Sequence, residues 1–315
     1  MTHASSSFPA PTEKRVDSYQ IYEPPIGGGA NGQVYVAANH GSHVALKLVK
    51  RRAAEAERRA VTRYCEELYK VRGASDLGLL PILHYGAYQG QLDYYTMPLA
   101  DELRGPLTNG FPTDYRPRTL AAHLAEKKRA TIDEVIRIAD ELLVGLGQLH
   151  RKELVHCDIK PENVVCWQGK WCLGDFGLLQ ERTAATSTAI GTDGYIAPEG
   201  TGDYGGDVFA LAITLMKVAV SGSRLATGNI IANVSKPGET LPFDDPRSEA
   251  LREALVKAAD RNQDRRLQLP EFHARIARLR RRQTVRLLVD PDRFGDLADV
   301  MRSHGFTDVE IEYVQ

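Results

Sequence analysis

From Tyr19 to Val49 the chain reads YQIYEPPIGGGANGQVYVAANHGSHVALKLV, with apolar and polar positions alternating in short runs broken by Gly and Asn. A period of two bounded by turn residues predicts antiparallel strands. Residues 51–72 change period: RRAAEAERRAVTRYCEELYKVR sets its apolar residues at helical spacing and predicts one helix. LLPILHYGAYQGQLDYYTMPLA then gives two further strands around a Gln-Gly turn. After Ala100 comes a proline-containing loop, GPLTNGFPTDYRPR, followed by two helices, TLAAHLAEKK and TIDEVIRIADELLVGLGQLHRKEL. In the second helix Ile132, Val135, Ile136, Ile138, Ala139, Leu142, Leu143, Leu146 and Leu149 form a stripe wide enough for a core helix. A compact hairpin follows, VVCW and KWCL around Gln168-Gly169, and then mainly helical sequence to about residue 282. The last stretch reads strand (TVRLLVD), helix (FGDLADVMRSHG), strand (DVEIEYV).

This order predicts an α+β fold with two lobes, a small β-rich N-lobe (19–100) and a larger α-helical C-lobe (101–282). Residues 1–18, rich in Ser, Pro and Thr, read as a flexible tail. Residues 283–315 form a short β-α-β extension. Such a small unit buries too little to stand alone. It is expected to dock on the large lobe or to pair through a strand edge in a homodimer.

Composition narrows the function classes. The formal net charge is −1, so nothing global favours nucleic acid or an anionic membrane as a partner. The basic run Arg278–Arg286 is short and reads as a solvated face. Four cysteines, Cys65, Cys157, Cys166 and Cys172, form no CxxC pair and read as small buried hydrophobes in a reducing compartment. The N-terminal residues lack the apolar core of a secretory signal, and the run Val208–Met216 is too short to span a bilayer. The expectation is a cytoplasmic protein.

Several motifs carry chemistry. In IGGGANGQVYVA, Gly27, Gly29 and Gly32 fit G-x-G-x-x-G, with Val34 two positions on. Glycines let backbone N–H groups approach phosphate oxygens without a Cβ clash. A strand rather than a helix follows, so the loop reads as a flap over phosphates instead of a dinucleotide fingerprint. Lys47 closes VALK on the next strand. If it points into a cleft it can hold a phosphate, and it then needs a carboxylate partner. Among Glu55, Glu57, Glu66 and Glu67, the last shares its helix face with Leu68 and Val71 and is the first choice, Glu66 the second.

The stretch VHCDIKPENVV places Asp158, Lys160 and Asn163 close together. Asp158 can accept a proton from an attacking hydroxyl, Lys160 can neutralise a transferring phosphoryl group, and Asn163 offers an amide oxygen to a metal. Asp175, in GDFG, adds a hard carboxylate oxygen, and such ligands suit Mg2+. Phosphoryl transfer needs alignment and charge neutralisation more than covalent help. Farther on, GTDGYIAPE ends at Glu199, Asp207 opens an apolar helix, and Arg266 is a candidate partner for a buried Glu199.

With these motifs in this order, residues 19–282 resemble a eukaryotic-like serine/threonine protein kinase. The form DIKPEN, with Lys160 two residues after Asp158, is the serine/threonine type. The resemblance implies ATP as the phosphate donor, Mg2+ (or Mn2+ in its stead) held by Asn163 and Asp175, and protein substrates with Ser or Thr hydroxyls. It implies that Ile26, Val34, Ala45 and Val165 sandwich the adenine. Met97 bounds the back of the pocket, and Pro98 and Ala100 supply the hinge carbonyl and N–H; proline keeps the carbonyl that its position needs. It further implies a Lys47–Glu67 pair and a hydrophobic column of Val71, His156 and Phe176 tying the lobes together. Two positions depart from the family pattern. Cys157 stands where an Arg usually precedes the catalytic Asp, and Ala212 where Gly is common. Without that Arg, modification of Thr183, Thr186, Ser187 or Thr188 is expected not to be the on-switch. A pseudokinase scaffold and a small-molecule phosphotransferase on the same fold are the alternatives.

Overall fold

A computed structural model describes residues 14–29, 32–50, 78–88, 92–104, 115–127, 129–182, 191–280, 285–289 and 309–313. The helix expected over 51–72, and with it Glu66, Glu67, Val71 and Cys65, lies outside the described residues, as do Thr183, Thr186, Ser187 and Thr188.

The small lobe is one antiparallel sheet built from β1 (Arg15–Val16), β2 (Tyr19–Gly29), β3 (Gly32–Asn39), β4 (Ser42–Lys50), β5 (His84–Tyr88) and β6 (Leu92–Met97). Their order across the sheet is β1-β2-β3-β4-β6-β5. The sheet begins inside the stretch read as a flexible tail: Val16 pairs with Tyr19 and is fully buried. The sequence boundary at residue 18 is corrected by that pairing, because a short strand after a Ser- and Pro-rich run carries too little periodicity to stand out. Alternation along β4 decides what faces the cleft. Leu46 and Leu48 pack into the lobe's core with Ile21, Tyr35 and Tyr94, so Ala45 and Lys47 take the opposite side.

In the large lobe α1 (Leu120–Glu126) precedes α2 (Ile132–Arg151). Thr131 caps α2, its hydroxyl accepting from the Glu134 N–H at 3.2 Å, and Asp133 and Glu134 sit favourably in the first turn. Every residue of the predicted apolar stripe is buried. Each large side chain so buried contributes about 1.5–3 kcal/mol against exposure. The helix also carries Gly145, where a Cβ would fall 2.2 Å from the Gly78 carbonyl oxygen. That close approach seats the segment entering the small lobe. Gly78 and Leu80 then exchange backbone hydrogen bonds with Leu173, each at 2.9 Å.

The predicted hairpin is β8 (Val164–Trp167) and β9 (Lys170–Leu173), and it follows a short strand, β7 (Leu154–Val155), and a helical turn at Pro161–Asn163. Asp101 holds its turn, accepting from the Gln168 and Gly169 N–H groups at 2.9 and 2.8 Å. Strand β10 (Gln180–Glu181) pairs with β7. Among the described residues the remaining α-helices of this lobe are α3 (Tyr204–Ala219), α4 (Ile230–Ser235), α5 (Ser248–Ala258) and α6 (Leu269–Ala277). Nearly all of α3 is buried, including Ala212, which packs where Gly was expected. Cys157, Cys166 and Cys172 are free and buried. Burial pushes the Cys166 and Cys172 thiols up to about 12, which suits apolar filling rather than metal binding.

Two compact units divide the chain, residues 1–278 and 279–315, somewhat earlier than the 282/283 boundary read from the sequence. In the second, β11 (Val285–Val289) and β12 (Val309–Tyr313) pair in parallel, Val285 opposite Val309 and Val289 opposite Tyr313. Parallel neighbours require a crossover connection; the helix read there lies outside the described residues. Among the described residues no helix is long and apolar enough to cross a membrane.

Candidate active site

A cavity of about 630 Å3 lies between the lobes. Its lining divides into two sets. Ile26, Val34, Ala45, Met97 and Val165 give apolar surface, and Lys47, Asp158, Lys160, Asn163 and Asp175 give charge and polar oxygens. Pro98 and Ala100 also line it, and Met97 pairs with Ala45 in register. The Ala100 carbonyl accepts from the Tyr115 hydroxyl at 3.0 Å, so a residue of the proline-containing loop fixes the segment that follows β6. Gly27, Gly28 and Gly32 line the roof, and Gly29 pairs with Gly32 across the hairpin. A Cβ at Gly32 would sit 2.1 Å from the Leu48 carbonyl oxygen, so only glycine lets this hairpin lie so close.

Lys47 is not an edge charge. It is opposite both Val34 and Tyr95, in the interior of the sheet, and is 2% exposed. Its ammonium donates to Asp175 Oδ1 at 2.5 Å, and that oxygen also accepts from the Gly177 N–H at 3.1 Å. Burial pushes the Asp175 carboxyl up. The Lys47 charge and hydrogen bond, with the Gly177 N–H, outweigh burial and hold the group below the ordinary carboxylate range. Asp175 is therefore ionised at neutral pH. The expected Lys47–Glu67 pair lies outside the described residues.

The Asp158 carboxylate is held on both oxygens. Oδ1 accepts from the Thr192 hydroxyl at 2.7 Å; Oδ2 accepts from Asn163 Nδ2 at 2.8 Å and from Lys160 at 2.9 Å. Lys160 also donates to Thr192 Oγ1 at 2.6 Å. Asn163 Nδ2 donates a second time, to the Asp158 carbonyl at 2.8 Å, so both amide hydrogens are used and Oδ1 remains for a cation. The loop beneath is anchored by Asp207, which is 2% exposed. Its carboxylate accepts from the His156 and Cys157 N–H groups at 2.8 and 2.9 Å. His156 is wholly buried 5.7 Å from the Phe176 ring, the part of the expected column that lies in described residues. Its Nδ1 accepts from the Asp158 N–H at 3.4 Å, so Nε2 carries the proton and donates to the Gly174 carbonyl at 3.0 Å.

The residues fit a nucleotide and a divalent cation. The cavity volume is within the range of small-molecule sites. Asn163 and Asp175 present two hard oxygens, and no group of three His, Cys, Asp or Glu able to hold a metal occurs among the described residues. Mg2+ bound by one or two side chains, with phosphates and waters, needs no larger protein cage. Sequence reading missed Thr192, Leu80, Gly28 and Tyr115. Thr192 stands openly in GTDGYIAPE, but its tie to Asp158 spans 34 positions and has no local signature.

For the phosphoryl transfer expected from the sequence, Lys47→Met should lower turnover by roughly 10²–10³-fold, since a fixed buried cation in the cavity is lost. It should also return the Asp175 carboxyl toward the ordinary range. Steady-state transfer and an NMR titration of Asp175 check both; transfer within about threefold of wild type would refute the role given to Lys47.

Residues 20–274 match the protein kinase domain family. Serine/threonine-protein kinase PknD of Mycobacterium tuberculosis is 28% identical over 257 residues, covering 75% of this chain and 36% of that protein. Serine/threonine-protein kinase PknL of the same species is 27% identical over 247 residues, 75% of this chain and 57% of its own length. A membrane-associated tyrosine- and threonine-specific cdc2-inhibitory kinase of Caenorhabditis elegans, wee-1.3, is 33% identical over 112 residues, 33% of this chain and 16% of the relative. The chain thus spans about a third to a little over half of the two mycobacterial relatives. A match over most of the length, on a fold of β-rich and helical lobes with the expected polar residues in one cavity, shows that this chain belongs to the protein kinase superfamily.

Proposed function

We propose that the chain transfers the γ-phosphoryl group of ATP to Ser or Thr hydroxyls of proteins, itself included. The observation that carries this reading is the Asp158–Lys160–Thr192–Asn163 cluster in one cavity with Lys47 and Asp175. Asp158 takes the hydroxyl proton as the new O–P bond forms and the bond to the β-phosphate oxygen breaks, releasing ADP. Lys160 and Lys47 offset charge on the phosphoryl oxygens. Asn163 and Asp175 would hold Mg2+, or Mn2+ in its place, which when bound supplies further charge neutralisation on the phosphates. Ile26, Val34, Ala45 and Val165 fit the faces of the adenine, and Pro98 and Ala100 its edge. Serine/threonine specificity is supported by Lys160, braced by Thr192, and by the similarity to PknD and PknL, which are named serine/threonine-protein kinases. Among the described residues Cys157, Cys166 and Cys172 are free, which favours a reducing compartment such as the cytoplasm.

The test is radiolabelled ATP with the purified chain and generic protein substrates, followed by phosphoamino-acid analysis. Phosphoserine and phosphothreonine are expected. ATP binding without transfer would establish a scaffold instead, transfer only to small molecules a different phosphotransferase, and phosphotyrosine a different specificity.

Replacing Thr183, Thr186, Ser187 and Thr188 together by Ala is expected to leave specific activity within about tenfold of wild type, or roughly 1.4 kcal/mol of barrier. Cys157 is neutral and 5% exposed, so position 157 offers a loop phosphate no cation. Burial, and then the nearby Asp207 charge, push its thiol well above the ordinary range. A thousandfold loss rescued by acidic residues would show a phosphate-gated loop.

A further inference from the structure

We propose that Arg182, Tyr204 and His150 form a stacked brace that positions the Asp158 loop through Asp207, in a chain where position 157 supplies no arginine. The brace is built from three separate elements. Arg182 follows β10, at the far end of the Asp175 segment, and its guanidinium lies 4.6 Å from the centre of the Tyr204 ring. Tyr204, the first residue of α3, stacks on His150 with centroids 4.3 Å apart and planes 23° from parallel. Its hydroxyl donates to the His150 carbonyl at 2.9 Å. His150, at the end of α2, has its Nε2 3.0 Å from Asp207 Oδ2. That same oxygen accepts from the His156 N–H, and Oδ1 from the Cys157 N–H.

A cation thus begins the series and a buried carboxylate ends it, with two flat rings between. The ends suit the rings: a guanidinium is attracted to the face of Tyr204, and a carboxylate accepts from the imidazole. The brace is anchored at a second level. The Arg182 N–H donates to the Glu153 carbonyl at 2.7 Å, and Gln180 pairs with Val155. The backbone immediately before the Asp158 loop is therefore tied to the same strand that presents Arg182. Cys157 cannot serve this purpose: it is buried, and its thiol lies 3.7 Å from the Val155 carbonyl. The two rings and Arg182 act through Asp207 and touch none of the reacting atoms, so they are positioning residues. Without the His150 contact, Oδ2 of Asp207 keeps one donor instead of two, and the loop carrying Asp158 is less firmly held.

The activity arm of the test rests on the phosphoryl-transfer reading; a second arm does not. Arg182→Ala should lower kcat about threefold and Tyr204→Ala about tenfold, with KM for ATP within about twofold, because no nucleotide-lining residue changes. Arg182→Lys, which keeps a cation, and Tyr204→Phe, which keeps the ring, should recover most of the loss. The double variant Arg182→Ala/Tyr204→Ala should be no slower than Tyr204→Ala alone, since both act through one stack. Independently of activity, hydrogen exchange at the His156 and Cys157 amides should quicken in Arg182→Ala and Tyr204→Ala and be restored in Arg182→Lys. Should Tyr204→Ala fail to fold, the Arg182→Ala and Arg182→Lys pair decides on both readouts. Unchanged exchange at these amides in Arg182→Ala would overturn the brace, as would losses that multiply in the double variant or failure of lysine to rescue. If the wild-type chain transfers no phosphate, the functional reading fails while the exchange arm still judges the brace.

Discussion

Asp158→Asn is expected to keep nucleotide affinity within about twofold while transfer falls by roughly 10²–10⁴-fold, the span over which a positioned general base contributes. The substitution removes little but the charge and the capacity to take a proton. Thr192 Oγ1 can accept from an amide nitrogen at the Oδ1 position, and the backbone carbonyl of residue 158 still accepts from Asn163. At the Oδ2 position an amide nitrogen would meet Asn163 Nδ2 and Lys160, both donors, so the side chain is driven to one orientation. The apolar cavity lining proposed to face the adenine is untouched, which is why affinity is expected to hold. Calorimetry with ATP and a radiolabel assay on the same preparation separate the two quantities. Autophosphorylation at the wild-type rate would remove Asp158 from the role of base.

How much of this was legible in the sequence depends on the range over which each feature is determined. The stripe on α2 needs only a local period, and every residue read from it is buried. Lys47 was legible for the same reason: alternation on β4 sets it opposite Leu46 and Leu48, and burial of the apolar pair fixes where the lysine points. Asp158, Lys160 and Asn163 lie within one short loop, so their proximity was forced by chain length. Thr192 and Asp207 reach that loop from 34 and 50 positions away, and nothing in their own surroundings announces the partner. Asp207 could be read as the opener of an apolar helix, but not as the acceptor for the His156 and Cys157 amides. The N-terminal boundary failed for another reason. β1 is two residues long, and its Val16 is buried by strands that come later in the chain. The Arg182 guanidinium lies over Tyr204, a contact that depends on how α3 enters the lobe and has no local signature.

Arg266→Ala is expected to destabilise the larger unit by about 3–5 kcal/mol, the range for removing one partner of a buried ion pair. The Arg266 side chain is 1% exposed, against 24% for Glu199. Its Nη2 donates to Glu199 Oε2 at 3.0 Å, and Nη1 reaches Oε1 of the same carboxylate. Nη1 also donates to the Gly205 carbonyl and Nε to the Asp260 carbonyl, each at 2.9 Å, and the guanidinium lies 5.0 Å from the Phe209 ring centre. One side chain therefore joins the APE segment, the start of α3 and the loop after α5. Truncation leaves a cavity, two carbonyls short of a donor and a carboxylate only partly able to reach water. Glu199→Ala leaves the more buried charge in place with two carbonyl acceptors, so it too should destabilise by more than the ~1 kcal/mol typical of an exposed pair. The double replacement Glu199→Leu/Arg266→Met exchanges the pair for apolar volume and should recover part of the loss, since desolvation of both charges is avoided while the Gly205 and Asp260 carbonyls still lack their donor. Both tryptophans, Trp167 and Trp171, lie in the β8–β9 hairpin, so intrinsic fluorescence during denaturant unfolding reports on this unit. An Arg266→Ala midpoint equivalent to less than about 1 kcal/mol of change would mean that the bidentate pair contributes no more than a surface one. A double variant less stable than either single one would mean that the geometry of the pair, rather than relief of unpaired charge, sets the stability of this corner.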